Sequence, residues 1–414
     1  MGDAWDVVVI GAGAAGLLAA TRAAERGRRT LLVERNRKPG VKILMSGGTR
    51  CNLTHATDRR GIVEAFGAQG PFLHSALARL GPDELVAMFH AAGVPTKIES
   101  TGKVFPESDR AFDVLVALRE MLEASGAELA LDETVLAVER GADPEAAGFA
   151  VRTTDRTLHA EKVIVTVGGQ SYPDCGTRGD GYAWAKSLGH TIVPPRPALA
   201  PLVSPDGWVH ELRGVTVADV QVSVGPAGAK PTASRRGSFL FTHFGLSGPV
   251  AMDLSRVVTE RPQAGQWQVL CDFVPALAGE ALLARLAHEA AQSGKKSAIN
   301  VVTEWAPRRL AEALFQRAGL PIERRIAELS RAGRTAIVAA LKSTAISITG
   351  SLGFKKAEVT AGGVSLAEVD SRTMQSKLVP NLYFAGEILD LDGPIGGYNF
   401  QAAFSTGFLA GESV

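Results

Sequence analysis

Val7-Val8-Val9-Ile10-Gly11-Ala12-Gly13-Ala14-Ala15-Gly16 decides how the chain is read. Four consecutive apolar residues, three of them valine, predict a parallel strand buried on both faces. The glycines turn that strand into an Ala/Leu-rich helix over Leu17–Arg26. Gly11 suits the tight turn, Gly13 lets a pyrophosphate approach the backbone, and Gly16 lets helix and strand pack closely. The start of the helix points unpaired N–H groups and partial positive charge at the phosphates. A second strand is expected over Arg28–Val33, with Glu34 at its end. An acid at this distance accepts hydrogen bonds from an adenosine ribose. The stretch reads as a dinucleotide site, and the acid favours FAD or NAD over NADP.

The remainder bounds the protein class. At 414 residues the chain predicts two or three domains. With 46% hydrophobic and 21% charged residues it is a globular composition, and a net charge of +1 argues against a general polyanion coat. Cys51, Cys175 and Cys271 are far apart, which fits a reducing compartment and supplies neither a disulfide framework nor a zinc site. No apolar run reaches the ~20 residues needed to span a bilayer. The first strand follows Met1 so closely that no signal peptide is expected, so the reading is cytoplasmic, with no membrane association and no stable protein partner evident.

Lys38 to Thr54 is too rich in glycine and polar residues for a core element and is expected as a loop over the dinucleotide, its N–H groups lining phosphate or flavin. Two amphipathic helices are expected over residues 59–95, a helix over Ala111–Ser125, and a β-meander from Glu128–Leu131, Val135–Glu139, Phe149–Thr153 and Thr157–Ala160. Lys162 to Gly169 reads as a further buried strand ending in glycines. Past the proline-rich 194–201, alternating valines over Val215–Val224, with Ser238–Thr242 and Trp267–Asp272, predict an antiparallel β domain. Pro275 to Leu341 turns helical, with ten Lys/Arg against six Asp/Glu and the doublets Lys295-Lys296, Arg308-Arg309 and Arg324-Arg325. That face is either a solvated surface or a phosphate-contacting one. Finally Leu382–Ala385 is a buried strand, followed by Gly386-Glu387, Asp390, Asp392, Gly396-Gly397 and a helix of small residues to Gly411. A helix starting near Gly397–Gln401 aims its N-terminus at a flavin pyrimidine, where reduced flavin carries negative charge. An NAD-only protein needs no such closing segment, so the ligand reads as FAD.

"KILMSGGTRCNLT" (42–54), "GKVFPESDR" (102–110) and "FTHFGLSGP" (241–249), together with the first and last segments, resemble the bacterial YhiN/BaiN-like flavoprotein family. The resemblance runs through nearly the whole chain; Thr49 stands where the family usually has glycine. It implies an α/β fold: a Rossmann-like FAD-binding domain built from both chain ends, an inserted antiparallel β-barrel-like domain, and a helical sub-domain. The boundaries are 1–193, 194–274, 275–341, 342–357 and 358–414. The implied FAD site draws on Gly11, Gly13, Ala14, Ala15, Gly16, Glu34, Arg35, Lys42, Ser46, Gly47, Gly48, Thr49, Arg50, Cys51, Val135, Gly168, Gly169, Gly386, Glu387, Gly397, Asn399, Phe400 and Gln401. The implied activity is FAD-dependent reduction of an activated C=C bond, in a small unsaturated molecule or a uridine of ribosomal RNA. NADH or NADPH would be a transient donor, since no second GxGxxG follows a strand. The alternative is a sensor or assembly protein with non-catalytic FAD.

Two residues are candidates for proton transfer. Cys51 beside Arg50 is either a thiol of lowered pKa or a small packing residue. His243 is either a proton donor near neutrality or a structural histidine. Asp390 and Asp392 either orient the loop before the last helix or contact ribityl hydroxyls, or, as carboxylates in glycine turns, simply cap a helix.

Overall fold

The computed structural model describes residues 4–141, 148–261, 266–292 and 295–414. The chain divides into two compact units, one formed by Met1–Pro197 with Ala357–Val414 and the other by Ala198–Lys356.

The first unit is built on a parallel sheet. From one edge, Glu128–Ala130, Thr30–Val33, Trp5–Ile10 and Thr157–Val165 lie side by side, and Leu382–Phe384 adds to the last of these. Val7, Val8, Val9, Leu32, Val163 and Ile164 are fully buried or nearly so, as strands covered on both faces require. The strand expected in two pieces around Glu161 is one. The outer edge of its first half pairs antiparallel with Phe149–Thr153, which continues to Val135–Arg140. Its second half pairs parallel with Leu382–Phe384. The side chains alternate between exposed and buried at first and then become continuously buried, which marks the passage from the meander into the sheet centre. Glu128–Ala130, expected in the meander, instead pairs parallel with Thr30–Val33 as an outer Rossmann strand.

The first helix, Ala14–Glu25, and the last, Tyr398–Ser413, pack through glycine. A Cβ at Gly407 would lie 2.2 Å from the Ala15 carbonyl oxygen, and one at Gly411 would lie 2.2 Å from that of Ala19. Where two helices were expected over residues 59–95, Gly67, Pro71 and Gly81-Pro82 divide the chain. It forms the helices Arg59–Ala65, His74–Arg79 and Pro82–Ala91, with a 3₁₀ stretch over Gly67–Leu73. Ala111–Ser125 is the expected helix, ended by left-handed Gly126.

The second unit is a seven-stranded antiparallel sheet. Its order is Thr344–Ile348, Trp267–Asp272, Thr216–Pro226, Ala233–Phe241, Gly245–Ser247, Leu202–Val203 and Gly350–Ser351. Both ends of that path lie on one stretch of chain, residues 344–351. The helices Gly279–Gln292, Ala298–Val302, Arg308–Arg317 and Arg331–Lys342 share one buried apolar cluster with this sheet. Of the residues that punctuate this helical stretch in the sequence, Gly294 lies outside the described residues. Among the described residues no helix is long and apolar enough to cross a membrane, and no cluster of metal-ligating side chains is found.

Candidate flavin site

Local chain chemistry shapes the first turn. Gly11 is left-handed (φ 99°), and its N–H donates to the Val33 carbonyl at 2.8 Å. A Cβ at Gly16 would stand 1.8 Å from the Gly11 oxygen, so only glycine lets the helix start so close to the strand. Thr166 ties down the same turn, its hydroxyl 2.8 Å from the carbonyls of Ile10 and Gly11. Gly13 differs: a Cβ there meets nothing within 4 Å, so the helix N-terminus carrying buried Ala14 and Ala15 opens onto free space. The Glu34 carboxylate accepts from the Ala12 N–H at 2.7 Å and from the backbone and side chain of Asn36 at 2.9 and 2.8 Å. It thus sits against the glycine turn with lone pairs to spare for a ribose. Asp132 and Glu133 bond the carbonyls of Asn36 and Glu34, which sets buried Val135 just beyond this corner. Arg35 turns to the Gly176 carbonyl at 3.0 Å and to Asp180 at 2.8 Å.

The expected loop over residues 38–54 is half helix. Val41, Ile43 and Leu44 bring one apolar turn to bury, so Val41–Thr49 starts as a helix and loses helical geometry at Ser46, Gly47 and Gly48. Gly47 and Gly48 (φ 56° and 68°) are followed by Thr49 and Cys51, also left-handed at φ 69° and 61°. Such a run turns backbone N–H groups toward one side. The segment is docked on the first turn by the Gly40 N–H, which donates to the Ala12 carbonyl at 2.8 Å. Ser46 bonds back to Ile43 at 2.8 Å. Lys42 pairs with Glu387 and lies 2.7 Å from the Ser171 hydroxyl, which donates to Glu387 at 2.6 Å. Thr360 donates its N–H to Glu387 at 3.0 Å and would be struck by a Cβ at Gly169. Gly168 beside it is left-handed at φ 73°.

Arg50 leaves Cys51 alone. Its guanidinium reaches Glu99 at 2.7 Å and Asp109 at 3.4 Å and lies over the Phe105 ring. Cys51 is fully buried; burial pushes its thiol up to about 12, against a smaller lowering by a hydrogen bond with Ser46. Of the two alternatives for Cys51 this favours the small packing residue: desolvation outweighs the hydrogen bond with Ser46. His243 is exposed at the tip of the turn between Ala233–Phe241 and Gly245–Ser247, edge-on to Phe244.

At the other end, Gly386 is left-handed (φ 78°), and its N–H donates to Thr406 at 3.0 Å. A Cβ on it would lie 2.9 Å from that of Ala15, which brings the last strand to the first helix. Gly397 (φ 99°) caps the helix Tyr398–Ser413. Two residues expected at the cofactor also bond the protein through their amides, while Gln401 Oε1 is buried with no hydrogen-bond partner among the described residues. The Asn399 amide brackets Gly393, accepting its N–H at 2.8 Å and donating to its carbonyl at 2.9 Å. Gln401 is buried and donates to the Leu80 carbonyl at 3.0 Å and to Ser405 at 2.9 Å. Phe400 is half-buried against Phe404.

Two residues not singled out from the sequence stand beside Gly397. A Cβ there would lie 2.3 Å from the Thr54 carbonyl oxygen and 2.8 Å from Asn52 Oδ1. Among the described residues Asn52 Oδ1 and Thr54 Oγ1 are buried with no hydrogen-bond partner. The available signal was that the "RCNLT" run stays polar at every second position on either side of buried Leu53. The open face at Gly13, the left-handed run with an open side at Gly48, the charged Lys42–Glu387 pair and these orphaned polar atoms suit an elongated, phosphate-bearing, hydrogen-bonding cofactor.

A family model described as HI0933-like protein Rossmann domain matches residues 5–413. The ribosomal RNA dihydrouridine synthase of Escherichia coli (strain K12) is 33% identical over 418 residues, covering 100% of this chain and 98% of that protein. The 3-dehydro-bile acid delta(4,6)-reductase of Clostridium scindens is 30% identical over 410 residues, covering 98% of each. Among solved structures, the open conformation of a flavocytochrome c3 fumarate reductase aligns with a TM-score of 0.51 at 17% identity, over 100% of this chain and 78% of that one, a likeness of fold. With its glycine-built dinucleotide turn and closing helix, the chain belongs to the HI0933-like family and is an FAD-dependent oxidoreductase of that family.

Proposed function

We propose that this chain reduces an activated C=C bond with a hydride drawn from NADH or NADPH and passed on through FAD, a proton completing the saturated product. The observation that carries the reading is the cradle at Gly13, open in front of a helix N-terminus, beside which Gly40 docks the segment that carries the left-handed run at Gly47–Thr49. When bound, FAD supplies hydride acceptance and donation at N5. The chain's own residues do the rest. The N-terminus of Ala14–Glu25 holds the pyrophosphate, and Glu34 holds the adenosine ribose. Lys42 and Glu387 hold ribityl or phosphate oxygens, and the N-terminus of Tyr398–Ser413 favours the negative charge of the reduced state. His243 is the proposed proton donor. Cys51, buried and protonated, shapes the loop by packing.

The names of the two relatives support an electron-poor double bond as substrate, whether the C5–C6 bond of uridine in ribosomal RNA or a conjugated ring of a small molecule. The working compartment in this proposal is the cytoplasm, in keeping with three unpaired cysteines. The basic helical stretch is partly committed to the protein itself. Lys296 pairs with Glu304 at 2.8 Å and Arg308 with Glu312 at 3.0 Å, while Arg309 donates to the carbonyls of Arg213 and Glu211. An RNA role is tested with Arg308→Ala/Arg324→Ala/Arg325→Ala, leaving Arg309 in place. Binding of ribosomal RNA that falls steeply with salt and weakens in this variant supports it, and salt-insensitive binding refutes it.

The decisive experiment is anaerobic spectroscopy of the FAD-loaded protein with NADH or NADPH. Bleaching of the flavin's long-wavelength band, reversed by an enone or by unmodified ribosomal RNA, supports the hydride shuttle. A yellow protein that no donor bleaches favours the sensor or assembly reading. A protein that takes up no FAD overturns the assignment at the glycine turn.

A further inference from the structure

We infer that Asn52, set beside the N-terminus of the helix Tyr398–Ser413, recognises the cyclic imide edge of the bound flavin, accepting from its N3–H and so anchoring that edge of the ring. The inference rests on the FAD reading above and adds a residue to it.

Asn52 stands between the two segments that converge here. A Cβ at Gly47 would lie 3.2 Å from the Asn52 backbone nitrogen and 3.6 Å from its Cβ, and one at Gly397 would lie 2.8 Å from its Oδ1. The residue is 8% exposed, yet Oδ1 is without a partner among the described residues, as is the hydroxyl of fully buried Thr54 two residues on. Native proteins rarely leave such atoms unmet, because an unpaired buried acceptor forfeits its hydration for nothing. Gly397 is what brings them to the helix end. Its φ of 99° and the contacts that any Cβ would make with Thr54 allow no other residue without strain. A first helical turn offers N–H donors, while Asn52 offers an acceptor. Donors beside an acceptor complement the carbonyl, N–H, carbonyl sequence of an imide. An anionic group such as phosphate would satisfy the helix end but leave Oδ1 facing another acceptor.

Uracil carries the same edge, so the test has two arms. In the first, apoprotein is titrated with FAD and with N3-methyl-FAD, following flavin fluorescence. The wild-type chain is expected to bind FAD about tenfold or more tightly than the methylated form, the scale of one buried hydrogen bond. Asn52→Ala is expected to bind the two within about twofold of each other, while Asn52→Asp, which keeps an acceptor, retains the preference. Circular dichroism confirms folding of each variant. In the second arm, FAD-loaded protein is titrated with uridine monophosphate and its N3-methyl form. Discrimination by the wild-type chain in the first arm that disappears in Asn52→Ala supports the inference. Discrimination only in the second arm overturns it in favour of a pyrimidine base. No discrimination in either arm, or a preference undiminished in Asn52→Ala, overturns it outright. An apoprotein that binds neither flavin removes the FAD reading itself.

Discussion

Thr49 holds a left-handed backbone, φ 69°, at the end of the glycine run. An L-residue there costs roughly 1–2 kcal/mol relative to glycine, and a β-branched one is the worst case. Glycine gives back part of that through its larger unfolded-chain entropy, about 0.5–1 kcal/mol. Thr49 is exposed, so removing its methyl group uncovers no core. Among the described residues its hydroxyl donates to the adjacent Gly48 carbonyl at 2.6 Å, a local bond that water replaces. Thr49→Gly should therefore stabilise the first unit by about 0.5–1 kcal/mol. For a unit of this size that raises Tm by about 1–4 °C. Thr49→Ala, which loses the branch but keeps a Cβ, should fall between. The assay is thermal and urea unfolding of the apoprotein, followed by far-ultraviolet circular dichroism. A Thr49→Gly protein no more stable than the parent, or an alanine variant more stable than the glycine one, would refute the strain argument.

Three further outcomes are expected. Cys51, fully buried with its thiol at about 12, should resist alkylation in the folded protein through pH 10 and react at once on unfolding, as mass spectrometry would show. Gly407→Ala drives a Cβ into the Ala15 carbonyl and should destabilise by about 1–3 kcal/mol, read as a lower urea midpoint at unchanged slope. Although burial pushes the Glu133 carboxyl up, hydrogen bonds from Arg156 at 3.0–3.1 Å and Thr153 at 2.8 Å hold it below its ordinary value. A depressed folded pKa contributes stability that is present above the unfolded value near 4.5 and lost as pH falls through the folded one. Glu133→Gln should be less stable at pH 7 and lose less on acidification, measured as unfolding midpoints between pH 7 and pH 3; parallel curves would exclude the linkage.

What the sequence determined by itself is what short-range chemistry encodes. Three valines, an isoleucine and correctly spaced glycines are enough for a buried strand, a tight turn and a helix, because each residue's conformational limits act within a few positions. The same holds for Glu34 at the end of its strand, and for the last buried strand with the glycines beyond it. Tertiary structure decided the partners. Whether Arg50 activates Cys51 depends on Glu99 and Asp109, distant in sequence, which draw the guanidinium away while burial raises the thiol. That the amides of Asn399 and Gln401 bond Gly393 and the Leu80 carbonyl is likewise a matter of packing, not of spacing in the chain. Asn52 is an unremarked polar residue until the fold sets Gly397 against it, because desolvation and pairing are properties of the packed chain.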